Sequence, residues 1–308
     1  MNVLILMATF NGERFLKEQI DSILEQSNIN VYLNIYDDCS VDNTLNIIQN
    51  YRNPNIKIIQ NPVCSGSAAI NFCNAISNLT EIDLNKFSYI ALSDQDDIWD
   101  QNKISTAIQR MSENDASLYG SNLTMFSGDS LNKQIIGTIK KDFHQKKFDF
   151  LFEGGSAGCT YVMEKSFLLH LKEILKKTNY LNWKYFSHDW FIYFIARINN
   201  QKVFFDANSL IFYRIHDSNA HGQLNTLSLY AIKERAKYIK NGWYNLQSKG
   251  FINLLPPLSK EMKIYKLYNK NYFTRIYVLF RFNFKLIRSP IKAIQFFIVS
   301  LLPIQTKN

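Results

Sequence analysis

Three carboxylates fall within four residues in the run Leu92-Ser93-Asp94-Gln95-Asp96-Asp97-Ile98-Trp99. Like charges held that close repel, and a divalent cation relieves the repulsion by taking carboxylate oxygens as ligands. A cation held there can in turn hold a diphosphate. An isolated acidic turn more often only caps the helix that follows it. The chemical reading gains weight from residues 87–92, an apolar segment that reads as a buried parallel strand, because ligands of open α/β sheets bind at strand ends.

Other chemistry-bearing stretches punctuate the chain. Thr9-Phe10-Asn11-Gly12 places small and turn-forming residues after a first strand, which suits close approach of a ligand and equally suits a plain turn. In Asp37-Asp38-Cys39-Ser40-Val41-Asp42-Asn43-Thr44, Asp42 is a helix cap, whereas Asp38 either shares that local role or accepts a hydrogen bond from a base N–H. The loop from Asn61 to Ser67 is an ordinary capped loop or a set of N–H groups for an anion. Lys103, one to two turns past the acidic run, is a solvated helix lysine or a phosphate partner. His188-Asp189-Trp190 opens a helix, where Asp189 is a dipole partner or a general base for a hydroxyl nucleophile. Tyr213-Arg214-Ile215-His216 and Asn219 close the series, with His216 a structural residue or a metal or phosphate contact.

The elements that must position these residues alternate between strand and helix, the pattern of a mostly parallel sheet with covering helices. Strands are expected at 2–8, 31–36, 56–59 and 87–92, and helices at 13–26, 44–51, 67–77 and 101–111. Residues 115–165 read as mixed strands with a loop through Gly154-Gly155-Ser156-Ala157-Gly158. Helices at 166–177 and 190–198 and strands at 202–206 and 210–214 follow. Beyond Asn225 the sequence is helix-like, with breaks marked by Pro256-Pro257, Pro290 and Pro303.

The 308 residues are 46% hydrophobic and 20% charged, a globular composition able to bury a full core. Cys39, Cys64, Cys73 and Cys159 have no zinc-binding spacing and read as reduced thiols of a cytosolic protein. No secretory leader is legible, and no apolar run reaches the ~18 residues of a membrane span. The net charge of +9 divides unevenly: residues 1–222 carry a net of −4 and residues 223–308 a net of +13, with 15 Lys+Arg against 2 Asp+Glu. A catalytic domain over 1–222 and a basic, aromatic-rich helical extension over 223–308 are therefore expected.

Six motifs in order resemble family 2 glycosyltransferases, and within them the rhamnosyltransferase-like bacterial enzymes of surface polysaccharide synthesis. They are Thr9 to Gly12, Asp37 to Thr44, Ser93 to Trp99, Gly158 to Thr160, His188 to Trp190, and Tyr213 to His216 with Asn219. The resemblance covers residues 2–222 and implies an α/β fold of the GT-A type. It also implies transfer of a sugar, rhamnose among the candidates, from a nucleoside diphosphate sugar with inversion. It assigns Thr9, Asn11, Asp38 and Asp94 to the nucleotide sugar, which Lys103 is also expected to meet from its place after the acidic run, and Asp189 to the catalytic base. Asp96, Asp97 and His216 are assigned to Mg²⁺ or Mn²⁺, with His216 alternatively on the diphosphate. Gly155, Gly158, Cys159 and Trp190 are assigned to the acceptor side. Ile215 departs from the pattern, standing where related enzymes often carry a polar residue.

The basic extension has three readings: a helical appendage packed on the domain, a nucleic-acid surface, and a platform for anionic inner-leaflet lipid. The lipid reading is favoured because the motifs imply a saccharide acceptor carried on lipid, which places the enzyme in the cytoplasm, peripheral on the membrane. Two other functions compete with this reading. A sugar nucleotidyltransferase would need a Gly-rich, cationic loop at 9–14, which is missing, and a nucleic-acid-binding protein would leave the ordered carboxylates unexplained.

Overall fold

A computed structural model describes residues 1–216, 233, 236–237 and 239–301; the expected boundary at 222/223, Asn219 and Pro303 lie outside them. The chain divides into two compact units. The first comprises Met1–Asp142, Gly155–Leu181 and Ser187–His216. The second comprises Phe143–Gly154, Asn182–Phe186 and the described part of Asp217–Asn308.

In the first unit, β1 (Asn2–Thr9), β2 (Asn30–Asp37), β3 (Ile56–Gln60) and β4 (Tyr89–Ser93) are parallel neighbours in the order β3-β2-β1-β4. Seven of the eight residues of β1 are buried and so are four of five in β4, as their near-continuous apolar sequences require of strands covered on both faces. The helices α1 (Leu16–Leu24), α2 (Thr44–Gln49), α3 (Ala68–Asn78), α4 (Glu81–Leu84) and α5 (Lys103–Asn114) connect or follow these strands. Val3, Ile5, Met7, Leu16, Ile20, Ile23, Leu33 and Ile35 share one core with Ile104, Ala107 and Met111.

The stretch 115–165 resolves into pieces of two sheets. Two-residue β5 (Ile98–Trp99), β6 (Leu118–Ser121), β7 (Leu123–Ser127), β8 (Gln134–Ile139), β9 (Val162–Glu164), β10 (Val203–Asp206) and β11 (Ile211–Arg214) complete the strands among the described residues. Antiparallel β9 sits between β4 and β6, extending the main sheet to β10. A smaller sheet runs β5-β11-β7-β8. Two helices, α6 (Lys165–Lys177) and α7 (His188–Ile198), lie within this unit.

One expectation is corrected here. Cys39 and Cys64 are joined by a disulfide, with Cα atoms 5.5 Å apart, while Cys73 and Cys159 are free and buried. The pairing follows from loop closure: Asp38 draws in Ser65 and Gly66, and Cys39, at φ 64°, turns the chain toward that loop.

The second unit holds α8 (Trp243–Phe251), α9 (Lys260–Lys270), α10 (Tyr272–Phe282) and α11 (Pro290–Ser300), so the C-terminal region is helical as its sequence indicated. Phe152 lies at the centre of an aromatic cluster with Tyr244, Tyr265, Tyr268 and Phe296. The buried Arg288 guanidinium stands 3.4 Å from Glu153 Oε2 and 3.5 Å from Asp149 Oδ2, and Tyr265 donates to the Leu151 carbonyl at 2.6 Å. Those contacts explain why 143–154 belongs with the C-terminal helices. Trp183 does the same for 182–186, packing its ring on Phe251 at 4.6 Å and against Gly250, where any Cβ would collide with the indole.

Candidate active site

Parallel pairing sets the carboxyl ends of β1, β2 and β4 along one edge, with Thr9 opposite Asp37 and Met7 opposite Ser93. The order reverses at β1, the position where open α/β sheets leave a crevice. Gln95 bridges it. Its side-chain amide accepts from Phe10 N–H at 2.8 Å and donates to the Phe10 carbonyl at 3.0 Å. A Cβ at position 12 would stand 2.5 Å from Gln95 Oε1, so Gly12 supplies the clearance.

The β1 and β2 loops are laced together. Asn11 N–H donates to Ser40 Oγ and Asn11 Oδ1 accepts from Val41 N–H, each at 2.9 Å; Gly12 N–H donates to Thr44 Oγ1 at 2.8 Å. Asp42 accepts from the Thr44 N–H and hydroxyl, a local contact just ahead of α2 rather than the expected cap, because the N-cap position is Asn43. Thr9 is buried and its hydroxyl donates to Asp37 at 3.2 Å. Asp38 accepts from Ser65 N–H at 2.6 Å, Ser65 Oγ at 2.9 Å, Gly66 N–H at 3.0 Å and Asn61 Nδ2 at 2.8 Å. Burial pushes the Asp38 carboxyl up, yet these donors outweigh it and hold the group below the ordinary carboxylate range. The polar atoms of Thr9, Asn11 and Asp38 thus serve the loop network at this edge.

At the β4 tip the carboxylates converge. Burial, then the charges of Asp96 and Asp189, push Asp94 up to about 7. Burial together with Asp96 and Asp94 raises Asp97 well above its usual range. The buried Cys159 thiol faces both, and the potential ligand atoms of Asp94, Asp97 and Cys159 all lie within 4.8 Å of one another. Asp97 Oδ2 is buried and, among the described residues, finds no donor beyond that weak thiol. His216 Nε2 lies 2.8 Å from Asp96 Oδ2, with the Phe15 ring 5.0 Å from the imidazole. The expected set Asp96, Asp97 and His216 is therefore split. Asp96 and His216 pair with each other, while Asp97 turns inward toward Asp94 and Cys159.

Arg214 holds this loop from below. Its main-chain N–H donates to Asp97 Oδ1 at 3.2 Å and its Nε to the Asp96 carbonyl at 2.8 Å. The guanidinium also reaches the Gly128 carbonyl and Glu18 Oε2, sandwiched between the Phe15 and Phe126 rings at 4.4 and 4.6 Å. Lys103 is buried rather than exposed, its Nζ 3.3 Å from the Trp99 ring centroid. Burial pushes that amine down to about 7 against the opposing pull of Cys159 and Asp97. A cavity of about 320 Å³ lies beside His216, lined by Arg14, Phe15, Glu18, Asp129 and Arg214; Asp94 and Asp189 do not line it.

Asp189 stands in the first turn of α7 with its side chain 26% exposed. Ser187 caps the helix by accepting from Trp190 N–H at 3.3 Å and donates its own proton to Asp189 Oδ1 at 2.6 Å. Tyr161 Oη accepts from Ser156 N–H and donates to the Asp189 carbonyl, pinning the glycine loop to the helix start. A Cβ at Gly155 would collide with Tyr161 and Tyr193, and one at Gly158 with His188. Trp190 is buried behind them. Asp94 thus meets Asp97 and Cys159 directly, with Asp96 and Asp189 acting on it and His216 paired to Asp96, whereas Lys103 and Trp190 lie in the supporting core. Sequence reasoning assigned no role to Gln95, Glu18 or Ser187; only Ser187, a Ser two residues ahead of a helical Asp, carried a local signal.

The sequence model described as "Glycosyl transferase family 2" matches residues 4–169. Among curated proteins, the chain is 34% identical over 252 residues to the dTDP-rhamnosyl transferase RfbG of Shigella flexneri, covering 81% of this chain and 84% of that one. It is 27% identical over 167 residues to the UDP-Glc:alpha-D-GlcNAc-diphosphoundecaprenol beta-1,3-glucosyltransferase WfgD of Escherichia coli, covering 54% of this chain and 61% of the other. The fold superimposes on S. aureus TarS 1–349 in complex with UDP-GlcNAc with a TM-score of 0.56 at 15% identity, over 98% of this chain and 82% of that one. A mannosyltransferase from Pyrobaculum calidifontis in complex with GDP-Man and Mn2+ gives 0.51 at 12% identity, over 90% and 71%.

Proposed function

This chain belongs to glycosyl transferase family 2, and from that premise we propose that it moves a sugar from a nucleoside diphosphate donor to a saccharide acceptor with inversion. The observation that carries the reading is the crowding of acidic groups at the β4 tip, where the ligand atoms of Asp94, Asp97 and Cys159 lie within 4.8 Å of one another and Asp96 meets His216 at 2.8 Å. Rhamnose on a thymidine diphosphate is the leading donor, supported by the 34% identity to a dTDP-rhamnosyl transferase across most of both chains. A lipid-linked saccharide of a surface polysaccharide is the leading acceptor, the chemistry carried in the name of the second relative.

The chain's own residues supply the proton and charge handling. Asp189 accepts the proton of the attacking acceptor hydroxyl, oriented by the Ser187 hydroxyl at its Oδ1. Inversion is a single displacement, so it requires no nucleophilic Ser or Cys. Arg214 fixes the Asp96 carbonyl and the Asp97 carboxylate, and so holds the shape of the acidic loop that faces the diphosphate. A divalent cation, Mg²⁺ or Mn²⁺, is part of the proposal. The crowded oxygens of Asp94 and Asp97, within 4.8 Å of each other and of the Cys159 sulfur, suit a divalent cation, with Asp96 and its partner His216 beside them, His216 sharing the cation or contacting the diphosphate. Bound there, the cation would stabilise charge developing on the leaving nucleoside diphosphate. Thr9, Asn11 and Asp38 form the edge proposed to receive the nucleoside, with Asp38 presented through the loop that it gathers. The protein is proposed to work in the cytoplasm at the inner membrane surface; among the described residues no helix is long and apolar enough to cross a membrane.

The test is a panel of nucleotide sugars assayed for hydrolysis and thermal stabilisation, with and without Mg²⁺ or Mn²⁺. Metal-dependent stabilisation and turnover with dTDP-rhamnose are expected. Stabilisation by no nucleotide sugar in either condition would remove the reading.

A further inference from the structure

The outer faces of α10 and α11 carry large apolar side chains that stay exposed among the described residues. On α10 and the turn after it, Phe273, Tyr277, Phe280 and Phe284 are 80, 54, 66 and 78% exposed. The spacing of four and three residues puts Phe273, Tyr277 and Phe280 in one helical stripe, and Phe284 follows in the turn beyond the helix end. On α11, Ile291, Ile294 and Ile298 are 53, 60 and 58% exposed, again along one stripe. The opposite faces are already occupied, with Val278, Leu279, Ala293 and Phe296 buried in the unit's own core. A helix apolar on both sides needs a second apolar surface. The Phe280 and Phe297 rings, 5.0 Å apart, bind the two helices together, and Tyr272 Oη donates to the Leu301 carbonyl at 3.0 Å. The stripes therefore belong to one joined helix pair.

Exposed cations interleave with this face: Lys270 precedes α10, Arg281 follows Phe280 and Lys285 follows Phe284. Residues 223–308 carry 15 Lys+Arg and only 2 Asp+Glu. A second copy of the chain docked here would bring those like charges face to face. A bilayer with anionic headgroups meets both demands, since its interface accepts aromatic and aliphatic side chains while the headgroups pair with cations.

We propose that the α10–α11 face is an interfacial membrane-docking surface, in which Phe273, Tyr277, Phe280, Phe284, Ile291, Ile294 and Ile298 enter an anionic leaflet and Lys270, Arg281 and Lys285 pair with its headgroups. It deepens the functional reading and rests on it only for the lipid-carried acceptor. The full-length chain is sedimented with phosphatidylcholine vesicles, with and without phosphatidylglycerol. Binding is expected only to the anionic vesicles and weakens with salt. Arg281→Glu with Lys285→Glu lowers the partition by at least about fivefold per cation removed, and Phe280→Ser with Phe284→Ser by more than about tenfold. Transfer to a short soluble acceptor stays unchanged in both pairs, because these positions lie far in sequence from the carboxylate cluster and belong to the other unit. Equal binding to neutral and anionic vesicles, or none to either, overturns the proposal. So does self-association in light scattering that Phe280→Ser with Phe284→Ser abolishes while vesicle binding is absent. Vesicle binding that persists in a preparation lacking transfer upholds this surface and strikes the functional reading instead.

Discussion

Arg214 and Asp97, 117 residues apart in sequence, are joined by a main-chain hydrogen bond of 3.2 Å from the arginine N–H to the aspartate Oδ1. The same arginine's Nε holds the carbonyl of Asp96 at 2.8 Å, while its other end is anchored on Glu18 and Gly128. The tip of β11 therefore dictates the shape of the acidic loop after β4. Removing one partner of a buried ion pair leaves the other charge uncompensated, a loss of about 3–5 kcal/mol. Glu18, the charge left behind, is 28% exposed, so Arg214→Ala is expected at or below the lower end of that range in urea unfolding. Arg214→Lys keeps the charge but loses the planar fork, and is expected to cost less stability while raising the KM for the nucleotide sugar more than it changes kcat. A lysine variant with unaltered stability and KM would show that the fork does not shape the loop.

The carboxylate cluster sets a pH signature. Asp94, pushed up to about 7 by burial and then by Asp96 and Asp189, binds its proton more tightly folded than unfolded. The folded state therefore holds more protons between about pH 4 and pH 7, and metal-free stability falls as pH rises through that window. A shift of this size amounts to at most about 4 kcal/mol, and the partial exposure of Asp94 reduces it to ~1–2 kcal/mol. Asp97, raised for similar reasons, acts in the same direction. A divalent cation must displace these protons, so its stabilising effect grows with pH up to about 7 and then levels. Thermal melts with and without Mn²⁺ at about pH 5.5 and about pH 8 check this, and Asp94→Asn should flatten the metal-free slope. A larger metal-induced gain at the acidic end would contradict the assignment.

Gln95 imitates a strand partner. Its amide makes two hydrogen bonds to the Phe10 backbone, and Gly12 leaves the space for it. Gly12→Ala should dislodge the amide and cost about 1–2 kcal/mol, the net value of two such bonds. In Gln95→Ala the amide is already gone, and adding Gly12→Ala should then cost little. A double-mutant cycle in urea should thus give a coupling of ~1 kcal/mol; strict additivity would mean that the glycine serves the turn alone.

The strand tips were legible in the sequence because β1, β2 and β4 are buried on both faces, and apolar runs ending in Thr, Asp and Ser mark where each one stops. The smaller sheet was not. Two-residue β5 is defined only by its partners, Ile98 and Trp99 lying opposite Phe212 and Ile211, and no local periodicity announces so distant a pairing. Lys103 followed the same logic in reverse. A lysine at the start of a polar helix reads as solvated, yet the Trp99 ring folds over it. Glu18 resembled any acidic residue on the outer face of α1, and its partners come from far along the chain, Ser130 at 112 residues and Arg214 of β11 at 196 residues. Cys39 and Cys64 have no pairing signal of their own, because the closure that brings them together depends on Asp38 gathering Ser65 and Gly66.

Asp189 has two local duties that must be separated to test its chemistry. It sits in the first turn of α7, where a negative charge favours the helix dipole, and it accepts from the Ser187 hydroxyl at 2.6 Å. Asp189→Asn preserves the shape and an acceptor oxygen for Ser187 but removes the basicity. Turnover is expected to fall by about 10²–10⁴, with stability within about 1 kcal/mol and donor affinity close to wild type. Ser187→Ala makes the opposite change, losing the N-cap at a cost of about 1 kcal/mol while the carboxylate stays. Its turnover should fall far less than that of Asp189→Asn. If the two variants lost activity equally, the helix start rather than the carboxylate would be what the reaction needs. Single-turnover assays with a defined acceptor, alongside urea unfolding of both variants, decide between these outcomes.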